Sequence, residues 1–500
     1  MTVGEIVAKL REKLALIEKY EHALSIVNFD FETVCPGRAK EDESEVINLL
    51  DGELFALLSS EEMKSLILEL YRRRDELDDP LDRTLAEHLY EDLRKIINVS
   101  PELDRRSSEI FSGAYIAWER AKQAADYSLF RESLEKAVGV QKELIATRSD
   151  RSPDDYDEML GDCEPGMLQA DLDPFFERLK SGLIDLLGSI KKSRKVIRED
   201  FLRRPVPIWR QEAFSRYLLE TIGYDLSRGA VATTEHPFTL GIARQDVRVT
   251  THYHEDDVFS NMYSIIHEGG HAIFMQNEPA EDHDHFINDR VTNGMHESVS
   301  RFFENVVGRS RAFIHLIYPE FQKLFPEMAD VSERELYEGV NVVRPSLIRT
   351  EADEVTYCLH IIIRYEMEKL ICSGKADFDK LNSLWADLYE EYLGIRPGND
   401  REGILQDVHW SFGLGYFPSY AMGNCYNAMY LERMKAEFDL DGAIGQGDFA
   451  KINGWLSENV FGKANRLSPK EWILGVAGRP ISPDAFLSYL RNKYSEIYGF

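Results

Sequence analysis

Apolar residues recur at spacings of three and four along most of this chain, and that period commits it to helices. Ile6, Val7, Leu10, Leu14 and Ile17 share one face, as do Met63, Leu66, Ile67, Leu70 and Tyr71. Pro80 is expected to end the second of these helices, and Leu81, Leu85, Leu89, Leu93, Ile96 and Ile97 begin another. The same period returns over 171–201, 301–325, 352–373 and 377–394. One stretch reads as a strand: in 243–254, Val247 and Val249 alternate with Arg248 and Thr250, a period of two. Breaks fall at 203–208, 228–241, 395–404 and 441–448, and none looks like a boundary between independent domains. There is no internal repeat, low-complexity tract or long Ser/Gly linker. The expectation is one large, mainly α body spanning 1–500, with a small sheet.

Composition removes several classes of partner. Of 500 residues, 59 are Lys or Arg and 88 are Asp or Glu, a net charge of −29. So acidic a surface repels phosphate, which argues against nucleic acid and anionic membrane. No segment approaches the ~18 consecutive apolar residues of a membrane helix. Glu5, Lys9 and Arg11 interrupt the stretch that a signal peptide would need to be apolar. The five cysteines, Cys35, Cys163, Cys358, Cys372 and Cys425, are scattered, with no C-x-x-C. Free thiols and a cytoplasmic location are expected.

Residues 267–271 read HEGGH. On a helix, His267 and His271 lie one turn apart on one face, so both imidazoles can reach one ion. Glu268 is one residue round, able to reach a water beside the ion without binding the ion itself. Asp257 can cap the helix, and Phe259, Met262, Ile265, Ile266, Ile273 and Phe274 supply its apolar side. The alternative is a buried helix whose two histidines are satisfied by hydrogen bonds. Gly269 and Gly270 speak against it, since each Gly costs about 1 kcal/mol relative to Ala in a helix interior. Two in succession imply a close approach to the backbone.

A catalytic zinc takes three protein ligands and keeps one position open. The pattern H-E-x-x-H-x-x-G-x-x-H does not continue here, because Phe274 and Asn277 occupy its later positions. The segment 278–286 offers Glu281, His283 and His285, but its charge density reads as a solvated acidic loop. Residues 292–308 read as a helix capped by Thr292 or Asn293, with Phe302, Phe303, Val306 and Val307 on its buried side. Glu297, Arg301, Glu304 and Gly308 share the other face. Glu297, near the start of this second helix, is the expected third ligand; Glu304 and His296 compete with it, unless they form an ion pair with Arg301 and a surface histidine, respectively.

Several motifs now line up with one family. The sequence resembles the carboxypeptidase Taq family of zinc metallocarboxypeptidases, also called the thermostable carboxypeptidase 1 family. That family's D-x-R-x-T stands here as DVRVT (246–250), followed by HEGGH. Its H-E-S-Q stands as HESV (296–299), its I-R-x-x-A-D as IRTEAD (348–353) and its G-x-x-Q-D-x-H-W as GILQDVHW (403–410), running on into GYFPSY. HPFT (236–239) and YDEMLGDCEPGM (156–167) are similar too, so the resemblance covers essentially the whole chain. One departure is Val299 in place of the family's Gln, which is expected to remove polar contacts near the site but no chemistry. The resemblance implies a homodimeric, largely helical metallopeptidase, with two lobes lining one deep groove and the sheet beside the zinc helix. It implies removal of C-terminal residues from peptides, zinc on His267, His271 and Glu297, and Glu268 as general base. Cobalt is a possible substitute, because His and carboxylate ligands accept several divalent ions.

Further roles follow from those motifs. His409 and Tyr420 are candidate oxyanion donors, with Tyr416 an alternative that also counts among the substrate-binding residues. Arg349 is the candidate clamp for a terminal carboxylate, unless it pairs with Glu351 or Asp353. Arg248 is a further substrate-binding candidate or a structural residue, with DVRVT pairing a peptide backbone at a sheet edge. Asp353 is a candidate partner for the far nitrogen of a metal-binding histidine. Rival readings are a zinc endo-oligopeptidase and a non-catalytic helical scaffold. An aminopeptidase should carry a G-x-M-E-N-like segment upstream, and 228–256 has none.

Overall fold

A computed structural model describing residues 1–500 shows a mainly helical chain with one three-stranded sheet. The apolar face of Ile6, Val7, Leu10, Leu14 and Ile17 is buried on the helix Val3–Thr33. It packs with Met63, Leu66, Ile67 and Leu70 of Glu61–Arg72, and with Leu85, Leu89 and Leu93 of Pro80–Ile96. These residues form an apolar cluster separate from the much larger main core. Pro80 does not end the second helix, which stops at Arg72; it is the first residue of the next one. Its missing N–H is no loss there, and Asp79 accepts the Leu81 N–H at 2.9 Å.

Later boundaries shift in a similar way. The period over 171–201 becomes a helix at Gln169–Lys192, and that over 352–373 one at Tyr357–Cys372. The period over 377–394 becomes a short turn, Phe378–Lys380, and the helix Leu381–Leu393. The period over 301–325 is split. Residues Phe302–Val307 form a π-helical segment, and Ser310 then caps a new helix, Arg311–Leu324.

The sheet holds β1 (Val231–Thr233), β2 (Thr239–Ala243) and β3 (Asp246–Thr251), in the order β1-β3-β2. β3 is parallel to β1, with Val231 opposite Val249, and antiparallel to β2, with Thr239 opposite Val249. The expected strand is therefore present, but central. DVRVT has a neighbour on each side and cannot pair with a peptide at a sheet edge; the edges are β1, which lies within the break at 228–241, and β2, which begins in it.

The HEGGH segment lies on the helix Val258–Gln276, hereafter the motif helix, whose N-terminal Ser260 N–H is accepted by Asp257. Its two glycines mark close approaches. A Cβ on Gly269 would come within 2.8–2.9 Å of Ile222 and Leu219, on the helix Ile208–Ile222. A Cβ on Gly270 would lie 2.8 Å from the Ser300 Cα, on the helix Asn293–Arg301. The motif helix is thus seated between two others, one of which carries Glu297. All five cysteines are free, and no helix is long and apolar enough to cross a membrane.

Candidate metal centre

The helix Asn293–Arg301 starts at Thr292, whose hydroxyl accepts the Met295 N–H. Its first turn is further held by Glu164, which accepts the Gly294 N–H and the Thr292 hydroxyl. Burial pushes the Glu164 carboxyl up to about 7, against those donors. A Cβ on Gly423 would lie 3.2 Å from the Glu297 side chain, so the helix Pro418–Glu437 also closes on this segment.

Three donor atoms converge. Glu297 Oε2 lies 3.5 Å from His267 Nε2 and 3.5 Å from His271 Nε2. All three residues offer ligand atoms within 4.8 Å of one another. Donor atoms bound at about 2.1 Å to a tetrahedral ion lie about 3.4 Å apart. Two imidazoles and one carboxylate at this spacing therefore fit zinc in charge, chemistry and size.

The far nitrogens of both histidines are held as well. His267 Nδ1 donates to Glu304 Oε2 at 2.9 Å, and His271 Nδ1 faces His296 Nδ1. Such partners fix the tautomer that leaves Nε2 free as a donor to metal. Glu304 and His296, the competing third ligands, thus sit behind the histidines and not beside Glu297. Glu304 belongs to the π-helical segment, an irregularity often found at functional sites. Burial would raise the Glu304 carboxyl, but Arg301 and His267 bring it down to about 2. Burial and the adjacent His271 lower His296 well below the usual histidine range, so it is neutral and able to accept. Asp353 is not the partner of a histidine. It accepts the N–H groups of Val355, Thr356 and Arg344, a cap for the local turn.

Segment 278–286 supplies no ligand, yet it is not a solvated loop. Glu278 and Asp282 are buried, bonded to Asn465 and, for Asp282, ion-paired with Arg466. Charge density misleads here because its partners lie some 180 residues away.

Glu268 is 8% exposed, and its Oε2 accepts the Thr239 hydroxyl of β2 at 2.7 Å. The other carboxylate oxygen has no hydrogen-bond donor from the protein.

A second cluster surrounds Arg349. Its Nε and Nη2 donate to Asp407 Oδ1 at 3.1 and 2.9 Å, and its Nη1 donates to the Tyr357 hydroxyl at 3.1 Å. The partner is thus Asp407, and not Glu351 or Asp353. Arg364 holds the other oxygen of Asp407, with Nε at 2.8 Å. Burial would raise the Asp407 carboxyl, but the two guanidinium groups hold it far below the usual range. Two cations on one carboxylate leave a surplus positive charge.

Arg349 also lies over the Tyr420 ring, 4.9 Å from its centroid. Tyr420 Oη is 3.3 Å from His409 Nε2, and the Tyr416 ring centroid is 5.3 Å from that of His409 and 5.4 Å from that of Tyr420. Burial lowers His409 to about 4 and raises Tyr420 far above its usual value, so both are neutral at pH 7. Tyr357 joins the two clusters: its hydroxyl takes Arg349, and its ring lies 4.1 Å from the Arg301 guanidinium. Arg248 joins neither. Its fork is taken by Asp246, at 2.9 and 2.7 Å, and it covers the Phe29 ring. Val299 is fully buried in the main core.

Sequence reasoning missed Thr239, Tyr357, Arg364 and the charge role of Asp407. A signal existed for Arg364. It stands in the apolar run HIIIRYEM, and a lone Arg in a buried helix requires an acidic partner.

A family profile described as Carboxypeptidase Taq (M32) metallopeptidase matches residues 9–494. The chain is 38% identical over 491 residues to carboxypeptidase 1 of Bacillus subtilis, covering 97% of each chain. It is 38% identical to thermostable carboxypeptidase 1 of Thermus thermophilus over 392 residues, 76% of this chain and 77% of that one. Among solved structures, an M32 carboxypeptidase from Deinococcus radiodurans superposes with a TM-score of 0.95 at 33% identity, over 99% of this chain and 100% of the other.

Proposed function

Because this chain belongs to the carboxypeptidase Taq family of metallopeptidases, we propose that it is a zinc-dependent carboxypeptidase releasing amino acids from peptide C-termini. The observation that carries the metal assignment is the convergence of His267 Nε2, His271 Nε2 and Glu297 Oε2. These three would hold the ion. When bound, zinc would supply Lewis acidity toward the scissile carbonyl and the attacking water, and cobalt could replace it.

The remaining work falls to side chains. Glu268 takes the proton of the attacking water and returns it to the leaving amine. The Thr239 hydroxyl fixes Oε2 of that carboxylate, which leaves Oε1 as the oxygen that carries the proton. Tyr420 donates its O–H to the oxyanion that develops at the carbonyl. With its proton on Nε2, His409 donates to the Tyr420 oxygen and frees that O–H for the substrate. Tyr416 flanks both and lines the substrate side. Arg349 receives the terminal carboxylate, using the charge that Asp407 leaves unbalanced between two guanidiniums. Thr239 belongs to an edge strand beside Glu268, which supports β2 as the strand that aligns peptide backbone.

The test uses an amine-blocked peptide with either a free or an amidated C-terminus, with and without chelator, and mass spectrometry of the products. Stepwise loss from the free C-terminus alone, abolished by chelator and restored by zinc, is expected. Internal cleavage of both peptides at equal rates would make the enzyme an endopeptidase.

A further inference from the structure

We propose that Arg301 is a positioning residue that confines Glu297 to one donor oxygen, and so keeps a coordination position of the metal centre open. The inference rests on the assignment of His267, His271 and Glu297 as ligands. A carboxylate can bind a metal through one oxygen or both. A second oxygen from Glu297 would occupy the position that a catalytic site must leave for substrate.

The two oxygens of Glu297 have different partners. Oε2 faces both histidine Nε2 atoms, at 3.5 Å each. Oε1 accepts the Arg301 Nε–H at 2.7 Å. The Ser300 hydroxyl lies between two acceptors of the same residue, the Glu297 carbonyl oxygen at 2.8 Å and Oε2 at 2.9 Å. A charged donor on Oε1 resists rotation of that oxygen toward the metal, because the turn would break the charge-assisted bond from the Arg301 Nε–H.

Arg301 is itself immobilised. Its Nη1 donates to Glu304 Oε2 at 3.1 Å, its face lies 4.1 Å from the Tyr357 ring centroid, and its side chain is 15% exposed. Glu304 in turn holds His267, with Arg309 Nη2 3.5 Å from its second oxygen. One guanidinium thus ties together the carboxylate that faces the histidines and the carboxylate that stands behind one of them. A role limited to charge balance would need neither this split between oxygens nor the bond to Oε1.

The test loads metal-free protein with one equivalent of cobalt and reads visible absorption, which is intense for four-coordinate cobalt and weak when ligands are added. The parent is expected to bind one cobalt and give the intense spectrum. Arg301→Met keeps packing on Tyr357 but removes every donor, and should lose visible absorbance several-fold at full occupancy. Arg301→Lys, four residues after Glu297, can still hold Oε1 and should restore the parental spectrum. Circular dichroism confirms the fold of each. An unchanged spectrum in folded, fully loaded Arg301→Met overturns the proposal. So does a weak spectrum in the parent itself, which needs no variant. Failure of the ligand assignment is seen separately: cobalt would then bind the parent and His267→Ala equally well.

Discussion

Replacing Arg349 with Ala separates removal of C-terminal residues from cleavage in general. The side chain is 8% exposed and makes three hydrogen bonds, two to Asp407 and one to Tyr357. Breaking a buried ion pair ordinarily costs about 3–5 kcal/mol, because the remaining charge is stranded. Here Asp407 keeps Arg364, with Nε at 2.8 Å, so the carboxylate is not stranded and the variant should fold. What disappears is the surplus positive charge. A charge-assisted pair with the substrate's terminal carboxylate contributes about 1.5–3 kcal/mol. The loss should therefore lower kcat/KM roughly ten- to hundredfold on peptides with a free C-terminus. Amidated peptides, expected to be poor substrates of the parent, should lose almost nothing further. Arg349→Lys should rescue only in part, since it restores charge without the planar fork. Zinc content should stay at the parental level, because none of the converging donor atoms contacts Arg349. The assay is steady-state kinetics on a matched pair of free and amidated peptides, with metal measured in the same samples. Equal slowing of both peptides would make Arg349 a structural residue and remove the main physical support for C-terminal recognition.

Other outcomes follow from the same geometry. Glu268→Gln should keep zinc, measured by elemental analysis, and lose nearly all turnover. Glu297→Ala should lose zinc affinity outright in a chelator competition, while Glu304→Gln, which still accepts from His267, should weaken it far less; the reverse order would exchange their roles. Gly270→Ala should lower the melting temperature, since overpacking against Ser300 costs about 1–3 kcal/mol and offsets the ~1 kcal/mol helix gain of Ala. Gly139→Ala, with nothing within 4 Å of the added methyl and the same helical gain, should raise it. Light scattering should give twice the 57.6 kDa chain mass, as the family resemblance implies; a single-chain mass at micromolar concentration would contradict it.

The parts of the site that were legible in sequence are those encoded within one helical turn. His267 and His271 share a face by spacing alone, and Asp257 and Thr292 cap their helices as their types suggest. Glu297 was reachable because a carboxylate near the start of a second helix, after a connecting loop, can face the first. The double glycine announced a close approach, and the partners are Ile222 and Ser300. What escaped was set by distant pairing. Asp353 and Asp407 both lie beside helical segments, and local spacing cannot say which of them meets an arginine. The pairing of Arg349 with Asp407 joins residues 58 positions apart, and Asp353 is consumed by its own turn. The π-helical segment was invisible for a related reason. Phe302, Phe303, Val306 and Val307 fit an α period, and the wider turn becomes apparent only when Glu304 is found on His267.

Arg364 shows where a sharper reading was available. A cation inside HIIIRYEM is intolerable in a core without an acid, and the tyrosine-rich segment 403–420 contains one acid beside a histidine, Asp407. Pairing those two on charge grounds alone would have left the Arg349 of IRTEAD in competition for the same carboxylate. Two arginines share one aspartate, and burial pushes the nearby Glu368 up to about 7, so the cluster keeps part of its positive charge, a demand that an anion from outside the chain can meet. A peptide's terminal carboxylate meets that demand, and its amide does not. If Arg349 clamps the terminal carboxylate, the surplus charge and a preference for a free C-terminus are one property, and a variant that restores balance, Arg364→Met with Arg349 retained, should weaken that preference without touching Arg349 itself.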